Sequence, residues 1–200
     1  LSSTAASFKM SSRPFVRRTI FRALCKQVKQ RRADLFKPLL ESLEPRNLLA
    51  TITLSTTLDE VDGNTSSIAN LIATPGGTGI SLREAIIAAN NSASNDIIIA
   101  PAGNYVLTIA GTTNATGDLD ILNAGTLQIQ GAGIGTPVID GGGSGGTLAD
   151  RIFEIQGATV SFEDLTIQNG YLTSSHGAGF YNSAGTVTLR GTKSLRQDVL

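Results

Sequence analysis

Ser-Leu-Arg-Glu-Ala-Ile-Ile-Ala-Ala-Asn, residues 81–90, predicts a short helix at the head of a long series of strands. Ser81 is a suitable N-cap, and Glu84 three residues later completes a capping box. Ile80 and Ala85 stand where a hydrophobic staple places its two residues. The apolar side chains fall on one face at helical spacing: Leu82, Ala85, Ile86 and Ala89. Because so short a helix is marginal in water, we expect this face to cover one end of the strands.

Beyond Asn95 the sequence becomes a series of short apolar runs separated by turns rich in Gly and Asn. Residues 51–55 already alternate in this way, and residues 56–79 predict a long polar loop before the helix. The later predicted strands are 96–99, 105–109, 119–122, 126–129, 138–139, 152–155, 160–162, 165–167, 179–181 and 187–189. Three segments repeat one phrase, in which an apolar residue, a polar residue, Ile and Gln precede a turn: 127–131, 153–157 and 165–170.

Short strands at quasi-regular spacing predict a β-solenoid, here of about five coils. Alternation along each strand directs one set of side chains inward and leaves the other set outside. A β-sandwich is the competing fold, because Asn169-Gly170 is a dipeptide that forms hairpin turns. The other turns vary in length and rarely have the two-residue form of a hairpin, which favours the solenoid. The predicted fold class is therefore mainly β.

Charge and glycine content divide the chain near Ala50. Residues 1–50 carry 11 Lys and Arg against three acidic residues, whereas residues 51–200 carry five basic and 13 acidic residues. All 22 glycines follow residue 50. These shifts predict a basic leader over 1–50, a β domain over 51–190 and an irregular, truncated tail over 191–200. The β domain has no basic stripe, which argues against nucleic-acid binding by residues 51–200.

The leader has a helical pattern from Phe15 to about Leu43, with one apolar face and one face of Arg and Lys. Basic amphipathic helices lie on anionic membrane surfaces, so residues 13–40 are a candidate for peripheral membrane contact. A solvated leader and a helix docked on its own domain are the alternatives. No run approaches 18 apolar residues, so the sequence predicts no transmembrane helix.

The leader ends in Leu-Glu-Pro-Arg-Asn-Leu-Leu, residues 43–49. This segment resembles the Leu-Glu-Pro-Arg-x-Leu-Leu motif near the N-terminus of large bacterial surface or secreted proteins. Every fixed position of the motif is present: Leu43, Glu44, Pro45, Arg46, Leu48 and Leu49. The resemblance implies a sorting or export-linked segment. It also implies a location at the cell surface, in association with the outer membrane, or outside the cell.

A second resemblance involves the helix and the strands together. Residues 80–86 resemble the Cys-Ser-Leu-Arg-Glu-Ala-Ile motif of bacterial repeat proteins related to the polymorphic outer-membrane proteins. The residues that carry it are Ile80, Ser81, Leu82, Arg83, Glu84, Ala85 and Ile86. Downstream phrases at 117–121, 129–133 and 165–170 agree in order. The resemblance covers residues 51–190 and implies a right-handed, pectin-lyase-like parallel β-helix capped by helix 82–90. Ile80 replaces the family cysteine, which removes any disulfide role there.

Acidic side chains are the candidates for chemistry in the β domain. Polysaccharide hydrolysis needs two facing carboxylates, and Asp140 and Asp164 are candidates with Glu163. Asp118 and Asp120 share one strand face and can bind Ca²⁺ if further oxygens join them. A solvated turn before a strand is the commoner origin of such a pair. Asp140 likewise fits ordinary turn chemistry before three glycines.

No residue is assigned a catalytic role from the sequence, and no metal site is assigned beyond the weak Ca²⁺ candidate. Arg151 is the one central base for a lyase, but the resemblance places it at the start of a strand. His176 fits a loop, and the Arg83–Glu84 pair is interpreted as capping and solvent-facing charge. We expect a non-enzymatic surface or secreted module, adhesin-like or structural, with a surface polysaccharide or a protein as ligand. The alternative is a lyase or hydrolase acting on polysaccharide.

Overall fold

The structure is a computed structural model that describes residues 49–92, 94–122, 125–133, 135–173, 177–195 and 198–199. All of these residues belong to the unit Arg46–Leu200. Several sequence predictions therefore lie outside the described residues: the leader helix with its membrane-contact segment 13–40, the motif at 43–49 except for its last residue, and His176.

The described residues form two helices and a succession of short strands. β1 (Ala50–Thr53), α1 (Ile68–Ala73) and α2 (Leu82–Ser92) come first. β2 (Asp96–Ala100), β3 (Asn104–Val106) and β4 (Leu119–Ile121) make the first coil. β5 (Thr126–Gly131), β6 (Val138–Asp140) and β7 (Phe153–Ile155) make the second. β8 (Thr159–Glu163), β9 (Thr166–Gln168), β10 (Tyr171–Leu172) and β11 (Phe180–Asn182) make the third. β12 (Thr186–Arg190), β13 (Lys193–Leu195) and β14 (Asp198–Val199) follow.

Equivalent strands of successive coils pair in parallel, which makes the domain a parallel β-helix and confirms the predicted fold class. The first sheet has the order β1-β2-β5-β8-β12. The second sheet is β3-β6-β9-β13, the third sheet is β4-β7-β11, and β10 pairs with β14. Each pair is parallel, so the chain travels once around the solenoid between neighbouring strands of a sheet.

The coil register differs from the one that the repeated phrase predicts. Ile98 pairs with Ile129, Ile129 with Phe162, and Phe162 with Leu189, so the coils are 31, 33 and 27 residues long. The three copies of the phrase lie on β5, β7 and β9, which belong to three different sheets. The repeated phrase is therefore the pattern of a strand with one inward face, and its spacing does not give the number of residues in a coil. Three complete coils are described, and the prediction of about five coils is wrong.

Inward-facing apolar side chains stack from coil to coil to form the core. Ile52, Ile98, Ile129 and Phe162 occupy one such column on the first sheet and are fully buried. Phe162 also meets Phe153 and Phe180, with ring centres 4.8 Å and 5.1 Å away. Aromatic contacts of this kind add to the free energy of area burial. The solenoid interior is thus packed by branched and aromatic side chains with no room for a channel.

The N-terminal end of the solenoid is covered as the sequence predicts, with one more helix than expected. The capping box forms: Ser81 N–H donates to Glu84 Oε2 over 2.9 Å, and Glu84 N–H donates to Ser81 Oγ over 3.2 Å. The apolar face of α2 is buried, and α2 contacts β4, β2 and α1. α1, which Ser67 caps, lies inside the segment predicted to be a loop. Neither described helix has the length and apolarity needed to cross a bilayer.

The segment predicted to be an irregular tail contains two strands, so that prediction is wrong for the residues described there. β13 pairs with β9, and β14 pairs with β10. The preceding coil offers its backbone groups as a template, so strands form even where side chains lack an apolar pattern. Burial declines at the same time: Leu189, the last member of the column that contains Phe162, is 48 % exposed.

Candidate functional site

The third sheet carries a column of outward-facing side chains of mixed chemistry. Asp120 on β4 pairs with Glu154 on β7, and Glu154 pairs with Tyr181 on β11. Neighbouring strands lie about 4.8 Å apart, so the two carboxyl groups are close neighbours. Like charges directly opposite each other destabilise a sheet. This column therefore needs a positive charge beside it.

Arg151, two residues before β7, supplies that charge. Its Nη1 lies 2.7 Å from Glu154 Oε2, and its Nε lies 3.6 Å from Asp118 Oδ2 and 3.9 Å from Asp150 Oδ1. The guanidinium carbon is 4.6 Å from the centre of the Tyr181 ring, which is a cation–π contact. One arginine thus faces several carboxylates. We call Asp118, Asp120, Asp150, Arg151 and Glu154 the third-sheet cluster.

The third-sheet cluster lines an open groove of about 310 Å³, together with Thr112 and Gln156. Gln156 Nε2 donates to Glu154 Oε1 over 3.0 Å. Arg151 Nε–H is buried and has no hydrogen-bond acceptor. The groove therefore offers carboxylate oxygens, a guanidinium group, a hydroxyl and an amide to a ligand, with the half-exposed ring of Tyr181 beside it.

Two carboxyl groups of the cluster have raised pKa values. Burial, followed by repulsion from Asp150 and Asp120, raises the pKa of Asp118 to about 7, against an opposing effect of Arg151. Burial and the charges of Glu154 and Asp150 also raise the pKa of Asp120. Asp118 therefore titrates near neutral pH, where it can exist in both protonation states. Its interpretation as a solvated turn residue is wrong, because only 7 % of Asp118 is exposed.

The same carboxyl groups can serve as cation ligands. One oxygen each from Asp118, Asp120 and Glu154 lies within 4.8 Å of the others. Ca²⁺ takes six to eight oxygen ligands, with carboxylates prominent among them. Glu154 thus joins the pair that the sequence singled out. Three carboxylates are half of such a shell, and Arg151 competes for the same oxygens.

The other predicted pair, Asp140 and Asp164, does not form a site. Asp140 ends β6 and accepts hydrogen bonds from Gly142 N–H, Gln168 Nε2 and Asn169 Nδ2 over 2.8–3.0 Å. Asp164 is exposed, has a left-handed φ of 53° and precedes β9. Asp140 is level with Gln168 at the end of β9, whereas Asp164 lies in the turn before β9, so the two carboxylates lie at opposite ends of that strand. Asp140 stabilises a turn, and Asp164 makes one.

A second polar cluster lies at the N-terminal end and corrects the interpretation of Arg83. Arg83 is buried, and its Nε and Nη2 lie 2.6 Å and 3.1 Å from the two carboxylate oxygens of Asp59. Asp59 Oδ2 also accepts the N–H groups of Thr108 and Ile109 over 2.7 Å and 2.9 Å. We call Asp59 and Arg83 the end cluster. The predicted solvent-facing charge is wrong because the loop before α1 brings a carboxylate over the helix.

Glu84 is buried as well, and its carboxylate is fully used within the fold. Besides the N–H of Ser81, it accepts the N–H groups of Asp62 and Gly63 over 2.8 Å and 2.6 Å. These three backbone donors supply the hydrogen bonds that a buried carboxylate requires. Its predicted capping role is confirmed, and its predicted exposure is wrong.

Sequence reasoning missed Asp150, Glu154 and Tyr181 as members or neighbours of the groove. Asp120 and Glu154 are 34 residues apart and meet only because the second coil has that length on the third sheet. The pairing could have been found from a correct coil period. The repeated phrase instead matched Ile129 with Ile155, which lie on different sheets.

Comparison of the chain with protein-family models, curated proteins and solved structures finds no match. The function is therefore argued from the geometry of the β-helix and from the chemistry of its outer surface.

Proposed function

We propose that this β-helix is a non-enzymatic module of a cell-surface or secreted protein, adhesin-like or structural, that contacts a polysaccharide through its lateral surface. The observation that carries the proposal is the groove of the third sheet. It places carboxylates, the Arg151 guanidinium and the Tyr181 ring side by side on neighbouring coils. Polar groups around an aromatic ring match a sugar, which has hydroxyl groups at its edge and an apolar face.

The first sheet supports the same proposal. Its outer face presents two columns of uncharged polar side chains in register across three coils: Thr126, Thr159 and Thr186, with Gln128, Ser161 and Thr188 beside them. Neighbouring members of a column are about 4.8 Å apart. Rigid, evenly spaced hydroxyl and amide groups suit an extended, hydroxyl-rich polymer. The β-helix thus offers two polar faces along which such a chain can lie.

The alternative is a polysaccharide hydrolase, and a specific observation favours it over a lyase. Asp118 has a pKa of about 7 and lies beside Asp120 and Glu154. Glycosidases pair a carboxyl group that is protonated near neutral pH with a second, ionised carboxylate. Oxygens within 4.8 Å of each other are nearer the separation of about 5 Å found in retaining enzymes than the 6.5–9.5 Å of inverting ones.

One experiment separates these proposals. The full chain is electrophoresed through gels that contain a neutral glucan or cationic chitosan, with pectin and alginate as anionic comparisons that the carboxylate-rich groove should bind less well, and the same mixtures are assayed for reducing ends and unsaturated products. Retardation without new products supports a binding module. New reducing ends that appear without unsaturated products and disappear in Asp118→Asn establish the hydrolase, whereas reducing ends accompanied by unsaturated products establish a lyase. Asp164→Asn, a matched change at an exposed turn outside the groove, is the control and leaves both readouts unchanged.

A further inference from the structure

The helix at residues 82–92 lies along an unpaired sheet edge. β4 is the first strand of the third sheet, and among the described residues its one strand partner is β7. The other edge of β4 faces α2, with which it is in contact. Open edges present unpaired N–H and C=O groups and invite strand addition by another chain. The structure shows two side chains of α2 that occupy these groups.

Asn90 is the first of these side chains. Its Nδ2 donates to the carbonyl of Asp120 over 2.8 Å, and its Oδ1 accepts the N–H of Leu122 over 2.9 Å. A residue of a paired strand offers the same set of one donor and one acceptor to its neighbour. The primary amide of Asn90 therefore replaces a peptide unit of a strand that is not there.

Arg83 is the second side chain of α2 that bonds this edge. Its Nη2 donates to the carbonyl of Gly117 over 2.9 Å, and its Nη1 lies 3.5 Å from the carbonyl of Asp118 and 3.4 Å from that of Asn114. These carbonyls belong to the segment that leads into β4. The end cluster holds the guanidinium in this position, because Asp59 binds its other edge.

The spacing of the two residues matches the strand. Positions 83 and 90 are seven residues apart, which is two helical turns on one face and a rise of about 10 Å. The groups that they bind, from residues 117–118 to residues 120–122, extend over a comparable length of strand at about 3.3 Å per residue.

We propose that Arg83 and Asn90 form a sheet-edge cap: they occupy the carbonyls of Gly117, Asp118 and Asp120 and the N–H of residue 122, and so block strand addition by a second copy of this chain at that edge. This assigns a function to the motif of residues 81–90 that its capping box does not explain. The cap is independent of the proposed polysaccharide contact, because the groove lies on the outer face of the third sheet and the cap lies on its edge.

Hydrogen exchange tests the cap directly in the full chain. Leu122 is 45 % exposed as a residue, and the acceptor of its N–H is Asn90 Oδ1, so we expect protection of this amide to depend on that hydrogen bond. We expect slow exchange of the Leu122 amide in the wild type and exchange at least about tenfold faster in Asn90→Leu. The matched control is Asn91→Leu, because Asn91 Nδ2 binds the carbonyl of Thr65 and not β4. We expect no change of the Leu122 amide in this control.

Sedimentation of the same variants tests the second half of the proposal. We expect concentration-dependent association of Asn90→Leu and not of Asn91→Leu. Fast exchange of the Leu122 amide in the wild type would overturn the cap, and this readout needs no variant to fold. Equal exchange of that amide in the wild type and a folded Asn90→Leu would overturn it as well. A monomeric Asn90→Leu with a fast-exchanging Leu122 would overturn the block on association.

Discussion

Arg83 and Arg151 both meet carboxylates in this β-helix, but their surroundings differ. In the end cluster, Arg83 has one carboxylate partner, Asp59, and backbone groups of residues 108, 109 and 117 add hydrogen bonds to the pair. In the third-sheet cluster, Arg151 faces Asp118, Asp150 and Glu154, and its buried Nε–H has no acceptor. The first cluster is balanced in charge and closed, whereas the second has excess negative charge and opens into a groove.

This contrast distinguishes charged side chains that stabilise the fold from charged side chains that remain available to a ligand. A buried ion pair stabilises a fold only when its remaining donors and acceptors are satisfied, and the end cluster meets this condition. Burial, followed by repulsion from Asp150 and Asp120, raises the pKa of Asp118 in the third-sheet cluster. A ligand that supplies positive charge or hydrogen-bond donors would relieve this repulsion. We therefore propose the third sheet, and not the helix α2, as the site of contact.

The largest expected effect is the loss of Arg83. Arg83→Met leaves Asp59 buried without its counter-ion, and breaking a buried pair in this way costs about 3–5 kcal/mol. Arg151→Met is the matched change in the open cluster, where the side chains of Asp150 and Glu154 stay 25 % and 23 % exposed, and we expect a smaller loss of about 1 kcal/mol. Urea denaturation followed by circular dichroism measures both. Equal losses in free energy of unfolding would contradict the distinction between the clusters.

The sequence predicts the contacts between residues that are close along the chain and misses those between residues that are far apart along it. Ser81 and Glu84 are three residues apart, so their capping box follows from spacing alone. Arg83 and Asp59 are 24 residues apart, and a polar loop gives no periodic signal for the meeting of its residues with a helix. The helix α1 was missed because six residues carry too little periodicity to distinguish them from a loop.

The same limit applies to the β-helix. Alternation identifies which side chains point inward, and Ile98, Ile129 and Phe162 are buried as it predicts. Alternation does not say which strands share a sheet, because coils of 31, 33 and 27 residues have no fixed period. The groove depends on that register. Asp118 and Asp120 were therefore recognised as a pair, and Glu154 was not joined to them.

The second prediction concerns the dependence of stability on pH. It distinguishes Asp118, whose pKa is raised, from a carboxylate whose hydrogen bonds are complete. The folded-state pKa of Asp118 is about 7, above its ordinary value of 3.8, so the folded state binds this proton more tightly. The resulting stabilisation is complete below about pH 4 and is lost as the pH rises through 7. Asp118→Asn imitates the protonated form, so we expect it to raise the free energy of unfolding at pH 8. The expected gain is about 2 kcal/mol, half of the about 4 kcal/mol that the full shift represents, because solvent in the open groove screens the charges.

Denaturation of Asp118→Asn and the wild type at pH 5, 7 and 8 measures this effect. The difference between them should be small at pH 5 and should grow with pH. Asp164→Asn, at an exposed position, should show a difference that does not depend on pH. If the Asp118→Asn difference were constant over this range, Asp118 would not titrate near neutral pH, and the contrast with the end cluster would weaken.

The third prediction has the smallest expected change in stability. It concerns Asp140, a carboxylate that is held by hydrogen bonds and not by an arginine. Asp140 is held by three donors, from Gly142, Gln168 and Asn169, and should behave like the end cluster. Asp140→Asn places an amide among these donors, so we expect a loss of about 1–2 kcal/mol at pH 7. Thermal unfolding of this variant beside Asp118→Asn provides the test. A gain in stability for both variants would show that Asp140 is also strained.

The central claim is that the groove of the third sheet contacts a polysaccharide and does not cleave it. The most direct measurement is the dissociation constant of the full chain for the glycan retained in the gels, together with the chain length of that glycan after prolonged incubation. We predict that Tyr181→Ala and Asp118→Asn weaken binding about tenfold, that Asp164→Asn does not, and that the glycan keeps its length. Shortening of the glycan by the wild type and not by Asp118→Asn, or binding that both groove variants leave unchanged, would contradict the claim.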